Sequence, residues 1–99
     1  MSNNLELSKQ INPVVHHPSR MLILSILELL EYADFVFLLK ETELSKGNLS
    51  THLSKLEESK LISVNKTYIG KIPNTRYSLT KVGIEELDKY RKIIQKIIK

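Results

Sequence analysis

Apolar residues recur at helical spacing through most of the chain and switch to alternation in one stretch. Between residues 19 and 32 the apolar positions are Met21, Leu22, Leu24, Ile26, Leu27, Leu29 and Leu30. A stripe that wide predicts a central helix buried on more than one side. Pro18 suits its first turn, where a missing N–H costs nothing. Asp34 is a candidate cap for a second helix, with Phe35, Leu38 and Leu39 at i, i+3 and i+4. After a short turn at Thr42-Glu43, Ser45 can cap a third helix over residues 46–58. Its leucines, Leu49, Leu53 and Leu56, fall on one face. Beyond Lys60 the period becomes two. Ile62, Val64 and Tyr68 alternate with Ser63, Asn65 and Thr67, and Tyr77 and Leu79 alternate with Arg76, Ser78 and Thr80. Residues 69–75, with Gly70, Pro73 and Asn74, supply the turn between two strands. Thr80 then starts a last helix whose Ile84, Leu87, Tyr90, Arg91, Ile94, Ile97 and Ile98 share one side, widened by Ile93. Residues 1–10 are polar, lack a clear period and read as flexible.

The third helix changes the picture from fold to chemistry. Its other faces carry Lys46, Asn48, Ser50, Thr51, Ser54 and Lys55, with no carboxylate before Glu57. A helix facing only water normally mixes charge signs, so this one is suited to an anionic partner. The charge of the whole chain is +4 with a pI near 9.4, and it is unevenly distributed. Residues 1–43 hold three cations and six anions, residues 44–81 seven and two, and residues 82–99 five and three. The excess positive charge therefore sits in the middle third.

Ninety-nine residues suit one domain, 1–99, with 81–99 as its final helix. With no cysteine, disulfides, thiolate chemistry and Cys-ligated metals are excluded, and a cytoplasmic protein is expected. The first residues lack a basic region followed by an apolar run, so no signal peptide is expected. Glu28, Glu31 and Asp34 interrupt the apolar stretches too early for a membrane span. Catalysis finds no support, because no nucleophile–base arrangement, phosphate-binding glycine loop or metal triad is visible, and no cofactor is expected. The adjacent His16 and His17 read as a turn before the first long helix rather than as metal ligands.

Three helices, a hairpin and a helix in this order resemble the winged helix-turn-helix regulators of the MarR and ArsR type, in their short single-domain form. The residues that carry the resemblance are Asn12-Pro13, His17-Pro18-Ser19-Arg20, the run Asn48-Leu49-Ser50-Thr51-His52-Leu53 with Leu56-Glu57, and Arg76-Tyr77-Ser78-Leu79-Thr80 with Gly83. The fold class implied is α+β, mostly α: a three-helix core, a β-hairpin wing and a C-terminal dimerisation helix. Such proteins usually place glycine after the third helix, where this chain has Glu58-Ser59-Lys60. A left-handed Lys60 would cost on the order of 1 kcal/mol relative to glycine. The wing also lacks the arginine-rich tip of many relatives.

The resemblance and the residues together imply double-stranded DNA as the partner, with helix 46–58 in the major groove and wing 66–76 on the backbone or minor groove. Lys46 can reach a phosphate or guanine, Asn48 can pair with adenine, and Ser50 and Thr51 can donate to phosphates or bases. Gly47 keeps the first turn slim, and Lys55 should meet backbone phosphate. His52 has two readings, a phosphate contact or a hydrogen bond at the edge of the core. Lys66, Lys71, Asn74, Thr75 and Arg76 would line the wing, although Arg76 could equally pair with Glu57 or Glu58. The apolar last helix, with Ile84, Leu87, Tyr90, Arg91, Ile94, Ile97 and Ile98, can fold back onto its own domain or pair with a second copy; the width of its stripe favours a homodimer, with help from residues 5–17. The function expected is a dimeric repressor bound to a pseudo-palindromic operator. The alternative is a winged-helix protein–protein adaptor without DNA binding. No small-molecule effector is identified by the sequence.

Overall fold

The computed structural model describes residues 3–98. In chain order the elements are α1 (Asn4–Lys9), α2 (Pro18–Leu29), β1 (Ala33–Asp34), α3 (Phe35–Thr42), α4 (Lys46–Glu58), β2 (Ile62–Ile69), β3 (Ile72–Leu79) and α5 (Lys81–Ile97). The strands form one antiparallel sheet in the order β1-β3-β2. No helix of the described residues is long and apolar enough to cross a membrane.

The helix starts are set by local chemistry. The Asp34 carboxylate accepts from the Phe37 amide at 2.8 Å, the Ser45 hydroxyl from Asn48 at 3.1 Å and the Thr80 hydroxyl from Gly83 at 2.9 Å. The His17 ring caps α2 by accepting from the Ser19 amide through Nδ1 at 3.2 Å. Each cap satisfies a backbone donor that its helix leaves unpaired. Ile23, Leu24 and Leu27 of α2 lie at the centre of the core, against Leu38, Leu49, Leu53, Leu56, Leu61 and Tyr77. Burying each large apolar side chain there contributes roughly 1.5–3 kcal/mol.

The element boundaries depart from expectation in three places. The segment read as flexible forms α1, capped by Asn3, although none of its residues is buried; Met1 and Ser2 lie outside the described residues. The central helix, α2, ends at Leu29, three residues short of the expected end at 32. There the chain turns extended so that Ala33 and Asp34 can pair with Tyr77 and Arg76 of β3. The wing turn is also tighter than residues 69–75. Ile69 pairs with Ile72, leaving Gly70 and Lys71 as a two-residue turn. Gly70 takes φ +65°, the positive value that a type II′ hairpin turn needs at its first central position. Pro73 is tolerated in β3 because β1 reaches only as far as Arg76, so this part of the strand has one neighbour.

The join between α4 and α5 is made by backbone geometry. The Lys60 amide donates to Glu57 at 2.9 Å and the Leu61 amide to Leu56 at 3.0 Å, the two bonds of a Schellman cap. Buried Leu56 and Leu61 provide its apolar contact. Lys60 therefore sits at φ +61°, where glycine is usual. Lys60→Gly is expected to stabilise the fold by about 1 kcal/mol, raising the melting temperature by about 4–8 °C. An unchanged or lower midpoint in thermal melts would count against strain at this cap.

The molecule is elongated, 59 × 26 × 21 Å with a radius of gyration of 15.0 Å. A compact domain of this length would have about 13 Å. α1 packs on α5. The residues expected at a dimer interface are split by this packing. Leu87 and Tyr90 turn into the protein's own core, Ile94 and Ile97 are half-buried, and Ile84 and Ile98 are exposed. Arg91 is paired with Glu28 at 2.8 Å. The Tyr90 hydroxyl lies 2.8 Å from Nδ1 of His16 and 3.0 Å from the Met21 sulfur, so it ties α5 to the α1–α2 connection and to α2. Burial raises its pKa above the usual tyrosine value.

Candidate nucleic-acid interface

α3, the short turn and α4 form a helix-turn-helix in which the leucine face of α4 is buried and its opposite face is bare. Lys46, Gly47, Asn48, Ser50, Thr51 and Lys55 are all exposed. The Thr51 hydroxyl donates to the Gly47 carbonyl at 3.0 Å, which leaves its lone pairs facing outward as acceptors. A Cβ at Gly47 would meet no protein atom within 4 Å. Packing does not require glycine there, and its absence of a side chain leaves the first turn open to close approach by a ligand. With no acidic residue in that turn, the helix N-terminus adds its partial positive charge to Lys46.

His52 stands apart from these residues. It is half-buried, and its ring lies 4.6 Å from that of His17. Its Nδ1 lies 3.3 Å from Nη1 of Arg20. Arginine can only donate, so Nδ1 accepts and the ring proton sits on Nε2. Arg20 is itself anchored, with Nε donating to the Val14 carbonyl and Nη2 to that of Pro13 at 3.5 Å. Of the two readings of His52, this geometry supplies the hydrogen bond at the edge of the core. Arg20 and His17 are the partners that the sequence did not connect to it. The run His17-Pro18-Ser19-Arg20 was visible, but nothing local shows that it meets a residue more than thirty positions away.

Burial, followed by the neighbouring charges of His17, Arg20 and Lys55, holds His52 below the usual histidine pKa. The native state therefore favours the neutral ring. Stability is expected to be fully present above the unfolded value of about 6.5, and to fall as pH drops through the lower folded value. Arg20→Ala removes one of these charges and should shift the His52 midpoint upward while costing about 2 kcal/mol through its lost carbonyl bonds. Ring-proton titration by NMR and denaturation at several pH values check both. A wild-type His52 midpoint at or above 6.5 would contradict the assignment.

The hairpin beside α4 has two faces. Val64, Lys66, Thr75 and Tyr77 turn toward α4 and, with Ser50, Ser54 and Glu57, line a groove of about 220 Å³. Burial and then Glu57 push the Tyr77 phenol above its usual pKa. Lys66 and, at the tip, Lys71 are exposed. Asn74 and Arg76 alternate onto the opposite face and brace the root of the wing. Asn74 donates to Asp34 at 3.1 Å and accepts from Nε of Arg76 at the same distance. The Arg76 guanidinium lies 4.4 Å from the centre of the Tyr32 ring. Arg76 thus stacks on Tyr32 and bonds Asn74, in place of the pairing with Glu57 or Glu58 considered from the sequence. The Phe37 amide and the Asn74 side chain hold the Asp34 carboxyl below the usual range.

The groove between α4 and the wing thus carries Ser50, Ser54 and Glu57 on one wall and Lys66 and Thr75 on the other, while Lys46, Asn48 and Lys71 are exposed outside it and Asn74 and Arg76 lie behind the hairpin. Comparison with known proteins agrees with this architecture. A protein of Methanocaldococcus jannaschii, itself uncharacterized, is 38% identical over 64 residues, covering 65% of this chain and 70% of its own. The structure of a transcriptional regulator homologue from Pyrococcus horikoshii superposes with a TM-score of 0.86 at 28% identity, covering 94% of both chains. HlyU of Vibrio cholerae shares the fold at 21% identity, with a TM-score of 0.65 over 94% of this chain and 97% of its own. Residues 19–98 match the family described as the winged helix DNA-binding domain, and the chain belongs to that family.

Proposed function

We propose that the protein is a cytoplasmic transcriptional regulator of the MarR and ArsR type. It binds a pseudo-palindromic operator as a homodimer and represses by occupying a promoter. The observation that carries this reading is the exposed, carboxylate-free face of α4 from Lys46 to Lys55, set across a groove from a wing that also presents lysines. In the major groove, Asn48 reads adenine, Lys46 a guanine or phosphate, and Lys55 holds backbone. Lys66 and Lys71 position the complex without specifying sequence. The similarity to the Pyrococcus horikoshii protein supports the regulatory role.

Dimerisation supplies the second half-site, about one helical turn or roughly 34 Å from the first. Exposed Ile84, Ile98 and Leu5 and half-buried Ile94 and Ile97, on and around α5 and α1, are apolar residues available for it. The elongated shape, with these two helices packed together, is consistent with a surface completed by a second copy.

The test is selection of binding sites from random duplex DNA, with light scattering for the oligomeric state. Asn48→Ala is expected to cost about 1–3 kcal/mol on the selected operator and to relax preference at one position of each half-site. Equal loss on every sequence would remove Asn48 from base reading. A purely monomeric complex on a single half-site would remove the dimer.

A further inference from the structure

The tip of the wing is apolar on both faces. Ile69 and Ile72, the pair that closes the turn, are 58% and 70% exposed, and Tyr68 beside them is 68% exposed. Tyr68 pairs with Pro73 on the face turned toward α4, while Ile69 and Ile72 are on the other. The Ile69–Ile72 pair stands three residue steps beyond the Lys66–Thr75 pair that lines the α4 groove, so it projects about 10 Å further at ~3.4 Å per residue. A cross-strand pair covers one flank of each side chain and leaves the rest available to a partner. Here both stay open to solvent.

Charge says what covers them. Residues 61–80 contain Lys66, Lys71 and Arg76 and not one Asp or Glu. Lys71 occupies the turn itself, between the two isoleucines. An apolar point carried on a hairpin free of carboxylates is matched to a polyanion that also offers an apolar interior. Stacked base pairs behind a phosphate backbone are such a surface. Proteins that kink DNA from the minor groove do so with isoleucine, leucine, phenylalanine, methionine or proline inserted at a base step.

The geometry points to the wing tip as an apolar wedge: Ile69 and Ile72 enter the minor groove, part-unstack a base step and bend the duplex, while Lys71 holds the flanking phosphate. The inference rests on the DNA-binding reading above and deepens it. Burial of the isoleucine side chains offsets the lost stacking. The opening is easiest at pyrimidine–purine steps such as TA, so the wedge adds a sequence preference that no hydrogen bond supplies.

The probe is a 30-base-pair duplex with central TA steps and a donor and acceptor dye at its two ends. Binding of the full chain is followed by anisotropy and the end-to-end distance by energy transfer. The wild-type protein is expected to increase energy transfer on binding, with a bend of about 20–90°. Ile69→Ser/Ile72→Ser should bind about tenfold more weakly and leave energy transfer unchanged. Ile69→Val/Ile72→Val should retain the bend, which separates loss of the wedge from loss of the hairpin. Lys71→Ala should weaken binding but keep the bend in the complex that forms. Wild-type binding with no change in energy transfer overturns the wedge and leaves the regulator reading intact. So does a serine variant that bends and binds like the wild type. No anisotropy change on any duplex at low salt overturns both.

Discussion

Raising the salt concentration from 50 to 200 mM is expected to weaken operator binding by about four orders of magnitude. The expectation follows from which cations the fold leaves available. Lys46 and Lys55 on α4, and Lys66 and Lys71 on the wing, are exposed. In a dimer these four lysines from each copy would neutralise about eight phosphates, so log K should fall against log salt with a slope of about −7. Arg76 is not counted, because it is stacked on Tyr32 behind the hairpin. Nor is Arg20, whose guanidinium is held by two carbonyls and His52. Lys71→Ala removes one contact per copy, lowering the slope by about two while reducing affinity alike on all sequences. Anisotropy titrations at four or five salt concentrations measure both. A slope near zero would mean that the lysine-bearing surface does not face phosphate. A slope that Arg76→Ala changes more than Lys71→Ala would mean that the wing rearranges on binding.

The parts of this interface that were legible in the sequence are local ones. Asp34, Ser45 and Thr80 each cap a helix within three residues of themselves, so side-chain chemistry alone marks the boundaries. The leucines of α4 fall on one face because 3.6-residue spacing leaves no alternative, and the exposure of Lys46, Asn48 and Lys55 follows by default. Features that depend on distant partners were not legible. Ala33 and Asp34 are extended because Tyr77 and Arg76 lie beside them, and two residues carry no period of their own. Asn74 resembles a turn residue in the sequence, yet its amide is used to bridge Asp34 and Arg76 across the root of the wing. The stripe along α5 was plain, but periodicity cannot tell which part of it the protein covers itself. Tyr90 and Leu87 go to the core because the His16 loop and α2 lie against them. His52 shows the same limit, since its assignment needed Arg20 and His17 in space.

Gly83→Ala is expected to be strongly destabilising, costing about 3 kcal/mol or more. Gly83 lies in the first turn of α5 and is buried. A Cβ built on it would stand 2.0 Å from the Leu61 carbonyl oxygen and 3.0 Å from the carbonyl carbon. Both are backbone atoms, and they cannot swing aside as a side-chain tip would. The same carbonyl accepts from the Thr80 amide at 3.1 Å, while the Thr80 hydroxyl donates to the Lys60 carbonyl and accepts from the Gly83 amide. Relieving the clash therefore means parting the start of α5 from the Schellman turn that ends α4 and breaking these bonds together. Intrinsic helix propensity predicts the opposite sign, since alanine in place of glycine inside a helix ordinarily gains about 1 kcal/mol. The two arguments are separable by thermal unfolding. At about 4–8 °C per kcal/mol, a loss of 3 kcal/mol lowers the midpoint by roughly 12–24 °C, against a rise of a few degrees if propensity governs. Because α4 and the wing are joined through this same turn, duplex affinity should also fall at temperatures where Gly83→Ala remains folded. Val82→Ala, one position earlier and half-exposed, should leave both quantities nearly unchanged.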